Sequence, residues 1–175
     1  MLAPPGRRLS PEKTRVVHID EGFTFPGFDI RRQRKRGTQK HYVCTKPSRK
    51  AIASIKDKAK AKTYRPTLRI DLDELILSLN RSPAGWANYF RHGVSKATFS
   101  AVGYFAWGRL MRWIRAKHAG KTGLSRTELR RRFCDQGWRI AYNGVVFTGA
   151  SNVAVTRYRY RGNTIPTPWA PAASS

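Results

Sequence analysis

Between Lys96 and His118 the apolar residues Phe99, Val102, Ala106, Leu110 and Trp113 recur at steps of three and four. That spacing predicts one long helix with these side chains on its buried face, capped at Ser95. Lys46-Pro47-Ser48 opens an earlier helix, which carries Ala51, Ile52, Ile55 and Ala59 on one face and Lys56, Lys58, Lys60 and Lys62 around the rest. It ends before Pro66, and Arg65 to Ile70 reads as extended. Asp71 is the expected N-cap of a helix from Leu72 to Leu79, with Glu74 completing a capping box. Ser82-Pro83 marks a further helix start, and Gly93 interrupts that helix.

At both ends of the chain the period changes to two. Leu9 to Thr14 reads as a turn, Val16 to Ile19 as the start of a strand, and Asp20-Glu21-Gly22 as a second turn. Phe28-Asp29-Ile30 then alternates as a half-buried strand does. Residues 15 to 31 are therefore expected to hold two strands joined by a tight turn. His41 to Thr45 returns as another strand, which makes Arg31 to Arg36 the basic tip of a hairpin. Ser125 and Glu128 match a capping box for a short helix ending at Cys134. Beyond it, Trp138 to Tyr142, Asn143-Gly144 and Val145 to Thr148 predict a hairpin with a type I′ turn. A third strand is expected from Val153 to Tyr160, with Arg157, Arg159 and Arg161 on one face. From Asn163 onward the chain reads as loop. The fold class is α+β.

Charge decides which partners are plausible. The 175 residues carry 35 Lys+Arg against 10 Asp+Glu, a net +25. This excess asks for a polyanion. No apolar run is long enough to span a bilayer, so RNA or DNA is favoured over a membrane surface. Gly85 to His118 interleaves Trp86, Tyr89, Phe90, Tyr104, Phe105 and Trp107 with Arg91, Lys96, Arg109, Arg112 and Arg115. The three arginines spaced by threes, Arg109, Arg112 and Arg115, read as an outward row.

Candidate chemistry is sparse. Cys44 and Cys134 lie far apart, and with the four histidines they form no metal-ligand spacing. Asp71, Asp73 and Glu74 complement a helix dipole rather than build a metal site. Polymerisation or cleavage by two metal ions needs carboxylates converging from separate elements, and the few acids here do not pair in that way. No P-loop or Gly-x-Ser-x-Gly motif occurs. The residues alone describe a basic, aromatic-rich binding module with no cofactor and no metal.

Three blocks in this order resemble the group II intron reverse transcriptase/maturase family. Residues 9 to 32 resemble the end of its palm: Leu9-Ser10-Pro11-Glu12-Lys13-Thr14, then Gly22-Phe23-Thr24-Phe25-Pro26-Gly27-Phe28, the primer-grip hairpin of that family. The helical stretch from Lys46 to Leu79 follows. Residues 85 to 100, with the Trp- and Arg-rich helix behind them, resemble the maturase-specific domain. By position, Lys13 matches the palm lysine, and Phe23, Phe25, Gly27 and Phe28 match the primer grip. Trp86, Asn88, Tyr89, Arg91, His92, Ser95 and Phe99 match the maturase block. Pro26 departs from the leucine usual in the hairpin.

The resemblance implies a palm-end β-hairpin and a central helical thumb and maturase bundle, to which the Asn143-Gly144 hairpin pattern adds a small C-terminal antiparallel β element. The corresponding divisions are residues 1–45, 46–120, 121–162 and a flexible tail at 163–175. The implied partner is group II intron RNA, whose folding and splicing the chain would assist, in a cytoplasmic, RNA-associated setting of bacterial type. The expected RNA-binding residues are Arg31, Arg32, Arg34, Lys35, Arg36, Arg91, His92, Lys96, Arg109, Arg112, Arg115, Arg130, Arg131, Arg157 and Arg159. The Tyr-x-Asp-Asp motif that holds the catalytic metals would lie upstream of Met1, and no His-Asn-His endonuclease motif follows. Polymerase activity is thus not expected of this chain alone. Two alternatives stay open: the C-terminal half of a split polymerase needing an upstream fingers-palm chain, and a non-functional mobile-element remnant.

Overall fold

A computed structural model describes residues 17–118 and 125–156. Lys13, Arg157 and Arg159, the Leu9 to Thr14 turn and the tail lie outside these residues.

A three-stranded antiparallel sheet comes first: β1 (Phe23–Phe25), β2 (Phe28–Arg34) and β3 (His41–Pro47), in the order β1-β2-β3. The turn between β1 and β2 is Pro26-Gly27, where Gly27 adopts φ +87°, a conformation that suits glycine. The first strand starts later than the β-branched run suggests. His18 O accepts from the amides of Glu21 and Gly22, so Ile19 to Glu21 is a turn rather than a strand. The basic run does form a hairpin arm, with Arg31 to Arg34 in β2 opposite His41 to Cys44 in β3.

Four helices follow: α1 (Arg49–Lys62), α2 (Leu72–Phe90), α3 (Lys96–Lys117) and α4 (Arg126–Phe133). Ser48 caps α1, its Oγ accepting from Ala51 N at 3.2 Å. The Arg65–Arg69 segment is a 3-10 helix, not extended, because Tyr64 O and Thr67 O accept the amides of Thr67 and Ile70. Asp71 occupies the N-cap of α2 without a side-chain capping bond. Asp73 Oδ1 accepts the Glu74 amide instead.

Pro83 does not start a helix. It lies buried inside α2, which runs unbroken from Leu72 to Phe90. Proline removes one intrahelical bond and crowds the turn before it. Here Lys62 reaches across from α1, its Nζ donating to Ser78 O at 2.9 Å, Ser78 Oγ at 2.6 Å and Ser82 Oγ at 2.8 Å. These bonds tie α1 to the turn of α2 just before the proline and hold that turn in place, whereas the carbonyl that loses its amide partner is that of Leu79. Ser95 sits at the N-cap of α3, but its buried hydroxyl donates to Phe90 O at 2.8 Å, fastening the α2–α3 corner rather than capping α3.

In α4 the capping box is present in full, with Ser125 N donating to Glu128 Oε2 at 2.9 Å and Glu128 N to Ser125 Oγ at 3.2 Å. The C-terminal hairpin, β4 (Ala141–Tyr142) and β5 (Val145–Val146), turns at Asn143 (φ +48°) and Gly144 (φ +74°), as a type I′ turn requires. Ala150–Asn152 forms a 3-10 turn, and Val153 to Thr156 is not a strand: Thr156 N donates to Arg91 O instead of to a sheet neighbour.

Two apolar clusters hold these elements. In one, Leu75, Ile76 and Leu79 of α2 meet Leu110, Trp113 and Ile114 of α3, with Leu129 and Phe133 of α4 and with Ile140 and Phe147 beside the hairpin. In the other, Ile55, Ala87, Phe90, Phe99 and Val102 gather under Phe28 of the sheet. The periodic set Phe99, Val102, Ala106, Leu110 and Trp113 is buried throughout. Both clusters therefore share α3, which fixes where its remaining side chains emerge.

Candidate nucleic-acid interface

The side chains of α3 outside its buried stripe separate into two kinds. Arg109 turns toward α1, its Nε donating to Thr63 Oγ1 and its Nη2 to Thr63 O, both at 2.9 Å. It closes the C-terminal end of α1, where a cation suits the helix dipole. Arg112 and Arg115 are exposed, and Arg112 Nε only folds back onto Gly108 O of its own helix, at 3.1 Å. Three-residue steps advance 300° each, so the three arginines fan around the helix instead of forming one row.

Around Arg112 and Arg115 lies a groove of about 580 Å³, lined also by Lys56 of α1, Tyr104, Phe105, Trp107 and Trp138. Lys56 Nζ stands 5.3 Å from the Phe105 ring centroid. None of the described residues lining the groove is a carboxylate. α4 exposes Arg130, Arg131 and Arg132, and of these Arg130 reaches the groove's wall, its guanidinium 5.3 Å from the Trp138 ring centroid. The result is a cationic, aromatic concavity.

The other cations predicted to bind are distributed differently. Arg32 is held by a bidentate ion pair with Asp20, and that guanidinium keeps the Asp20 carboxyl below its usual range. Arg31 donates to Glu21 O at 3.0 Å, and Arg34 to Gln39 Oε1 at 3.4 Å. Lys35 and Arg36 are exposed at the hairpin tip, and Lys96 is exposed in the first turn of α3. Arg91 Nε faces His92 Nε2 at 3.3 Å, while His92 Nδ1 lies 2.9 Å from Thr156 O.

Among the residues matched by resemblance, Trp86 and Phe99 pack together in the core, with ring centroids 5.7 Å apart. Tyr89 is exposed, yet its hydroxyl donates to Pro26 O at 2.8 Å, joining α2 to the β1–β2 turn. Phe28 packs against Tyr89 and Phe90. Phe23 and Phe25 stay exposed.

Residues 52–133, from α1 through α4, match the family model of the group II intron, maturase-specific domain. This segment is a group II intron maturase-specific domain. No curated protein matches the chain. The maturase-specific domain contains Arg91, His92, Lys96, Arg109, Arg112, Arg115, Arg130 and Arg131, whereas the sheet cations and the Phe23-to-Phe28 hairpin lie outside the matched span.

Several features of this domain escaped sequence reasoning. Asn80 ties α2 to the C-terminal hairpin, its Nδ2 donating to Val146 O at 2.8 Å and its Oδ1 accepting from Thr148 N at 2.9 Å. No local pattern marks such a residue, because its partners are distant in sequence. The sequence pattern sets Lys56 among the cations around α1, and only the packing of α3 against α1 makes it part of the groove. Neither cysteine presents a reactive thiol. Cys44 is buried, and burial followed by the charge of Asp135 pushes the Cys134 thiol above its usual range. Among the described residues no helix is long and apolar enough to cross a membrane, and no group of three or more His, Cys, Asp or Glu is placed to hold a metal.

Proposed function

We propose that the chain binds group II intron RNA through this domain and assists its folding and splicing, without polymerase chemistry of its own. The observation that carries the reading is the groove between α1, α3 and Trp138, where Lys56, Arg112 and Arg115, all within the matched span, converge with exposed aromatic surface and no carboxylate. Phosphates supply the counter-charge such a surface lacks, and folded RNA adds unpaired bases for the rings. Competition binding tests the reading, using the whole chain, a folded group II intron RNA and an unrelated structured RNA of equal length. A preference for the intron RNA together with faster splicing is the expected result. Equal binding to both RNAs with no effect on splicing removes the maturase assignment.

A second reading is favoured by the sheet. The register sets Phe23, Phe25, Phe28, Ile30 and Val43 on one face with Arg32 and Thr45; α2 covers Phe28, while Phe25 is 66% and Val43 53% exposed. An exposed apolar sheet face is suited to docking against further protein. A separate fingers-palm chain of a reverse transcriptase would cover it, and the two chains together would extend a primer. Failure of primer extension by the mixed, folded chains eliminates this reading and leaves the first intact.

A further inference from the structure

Tyr104 and Trp107 of α3 lie with ring planes 16° apart and centroids at 6.0 Å. Tyr104 is 76% exposed, so this offset stack ends in solvent. Trp138 closes its other end, edge-on to Trp107 at 6.4 Å and 74°, and Trp107 Nε1 donates to Trp138 O at 3.0 Å. The Trp138 backbone is held at φ +66°, beside Gly137 at +77°. A bulky residue takes that conformation only where its surroundings impose it. The three rings form a fixed ridge.

Two grooves of different chemistry meet along this ridge, and Tyr104, Trp107 and Trp138 line both. One is the cationic groove with Lys56, Arg112 and Arg115. The other, of about 850 Å³, opens toward the segment after β5 and carries the hydroxyls and amide of Ser100, Thr148, Ser151 and Asn152, with one cation, Arg139, whose guanidinium is paired with Asp135 at 3.2 Å. An aromatic face, hydrogen-bonding groups beside one charge-compensated arginine on one side and, on the other, cations without a carboxylate partner among the described residues correspond to the three parts of one extruded nucleotide. Its base offers a π-face and polar edges, and its backbone offers phosphate. A base inside a duplex has no free face to offer.

We propose that the ridge is a stacking site for an unpaired RNA base, seated on the outer face of Tyr104 with its edge toward the hydroxyl-lined groove and its phosphates toward Lys56, Arg112 and Arg115. The site rests on the RNA-binding reading above and narrows it from structured RNA in general to RNA with unstacked bases. Electrostatic attraction serves paired and unpaired RNA alike, whereas Tyr104 serves only the second.

The test compares the whole chain with its Tyr104→Ala and Tyr104→Phe variants on two RNAs of equal length, one fully paired and one with a central bulge containing 2-aminopurine. Tyr104→Ala is expected to weaken binding to the bulged RNA about tenfold and to abolish the change in 2-aminopurine emission. It should leave duplex binding unchanged, and Tyr104→Phe should bind as the parent chain does. Equal loss on both RNAs, or loss on neither, overturns the stacking site while leaving RNA binding in place. If the parent chain binds neither RNA at low salt, the RNA-binding reading and the stacking site fall together.

Discussion

Arg109 and Thr63 are joined by two hydrogen bonds of 2.9 Å, one to the threonine hydroxyl and one to its carbonyl. Thr63 is buried, and its hydroxyl also donates to Ala59 O at 2.7 Å. Removing the guanidinium deprives this helix end of both donors. Arg109→Ala is therefore expected to destabilise the fold by about 2 kcal/mol. Arg112→Ala and Arg115→Ala, at exposed positions, should each stay within about 0.5 kcal/mol of the parent. Urea unfolding of the three variants distinguishes them.

The same three positions should behave in the opposite sense on RNA. Each phosphate contact releases condensed counterions, so Arg112→Ala and Arg115→Ala should each reduce the slope of log affinity against log salt by about 1. Arg109→Ala, measured where it is still folded, should leave that slope unchanged. A salt titration from low to physiological ionic strength provides the reading.

Asn80 holds three backbone groups of the C-terminal segment, since its Oδ1 also faces Gly149 N at 3.3 Å. Asn80→Ala should cost about 2 kcal/mol. The loss should be local as well as global. Amide exchange at Thr148 and Gly149 is expected to accelerate before that of the α2 and α3 cores.

His118 lies at the end of α3 against Phe133, with ring centroids 4.8 Å apart. Burial, and after it the charges of Arg132 and Lys117, hold the imidazole below the usual histidine range. The unfolded chain then binds more protons than the folded one once pH drops below about 6.5, so stability falls as pH decreases through that value toward the folded-state pKa. Thermal unfolding between neutral and mildly acidic pH should show this decline. His118→Phe should flatten it, while a decline of the same size in the variant would assign it to other groups.

What could be read in the sequence was what neighbouring residues decide together. The buried stripe from Phe99 to Trp113, the Ser125 and Glu128 capping box and the Asn143-Gly144 turn are each set by spacing or by backbone preference within a few residues. What could not be read depends on partners far along the chain. Ser82-Pro83 has the local form of a helix start, but Lys62 stabilises a continuous helix there, and burial of the Lys62 ammonium holds it below the usual lysine range. Arg109 has the sequence neighbourhood of a surface cation until α1 packs beside it. The ridge of Tyr104, Trp107 and Trp138 joins residues from α3 and from beyond α4, so periodicity that assigned most aromatics of α3 to the core offered no sign of it.

Gly93 lies at the corner between α2 and α3, where a Cβ would come within 2.9 Å of Thr45 O, the oxygen that also accepts from Val94 N at 2.7 Å. The edge of β3 is accordingly seated on a corner that is made later than the strand. During synthesis the three strands leave the ribosome before any residue of α2 or α3, and the side of Phe28 that Phe90 will cover stays wet until the corner has formed. Order of emergence thus sets a period in which the sheet is complete in sequence and unsupported in space. A bulkier residue at position 93 would prolong it, with aggregation of nascent chains as the visible result.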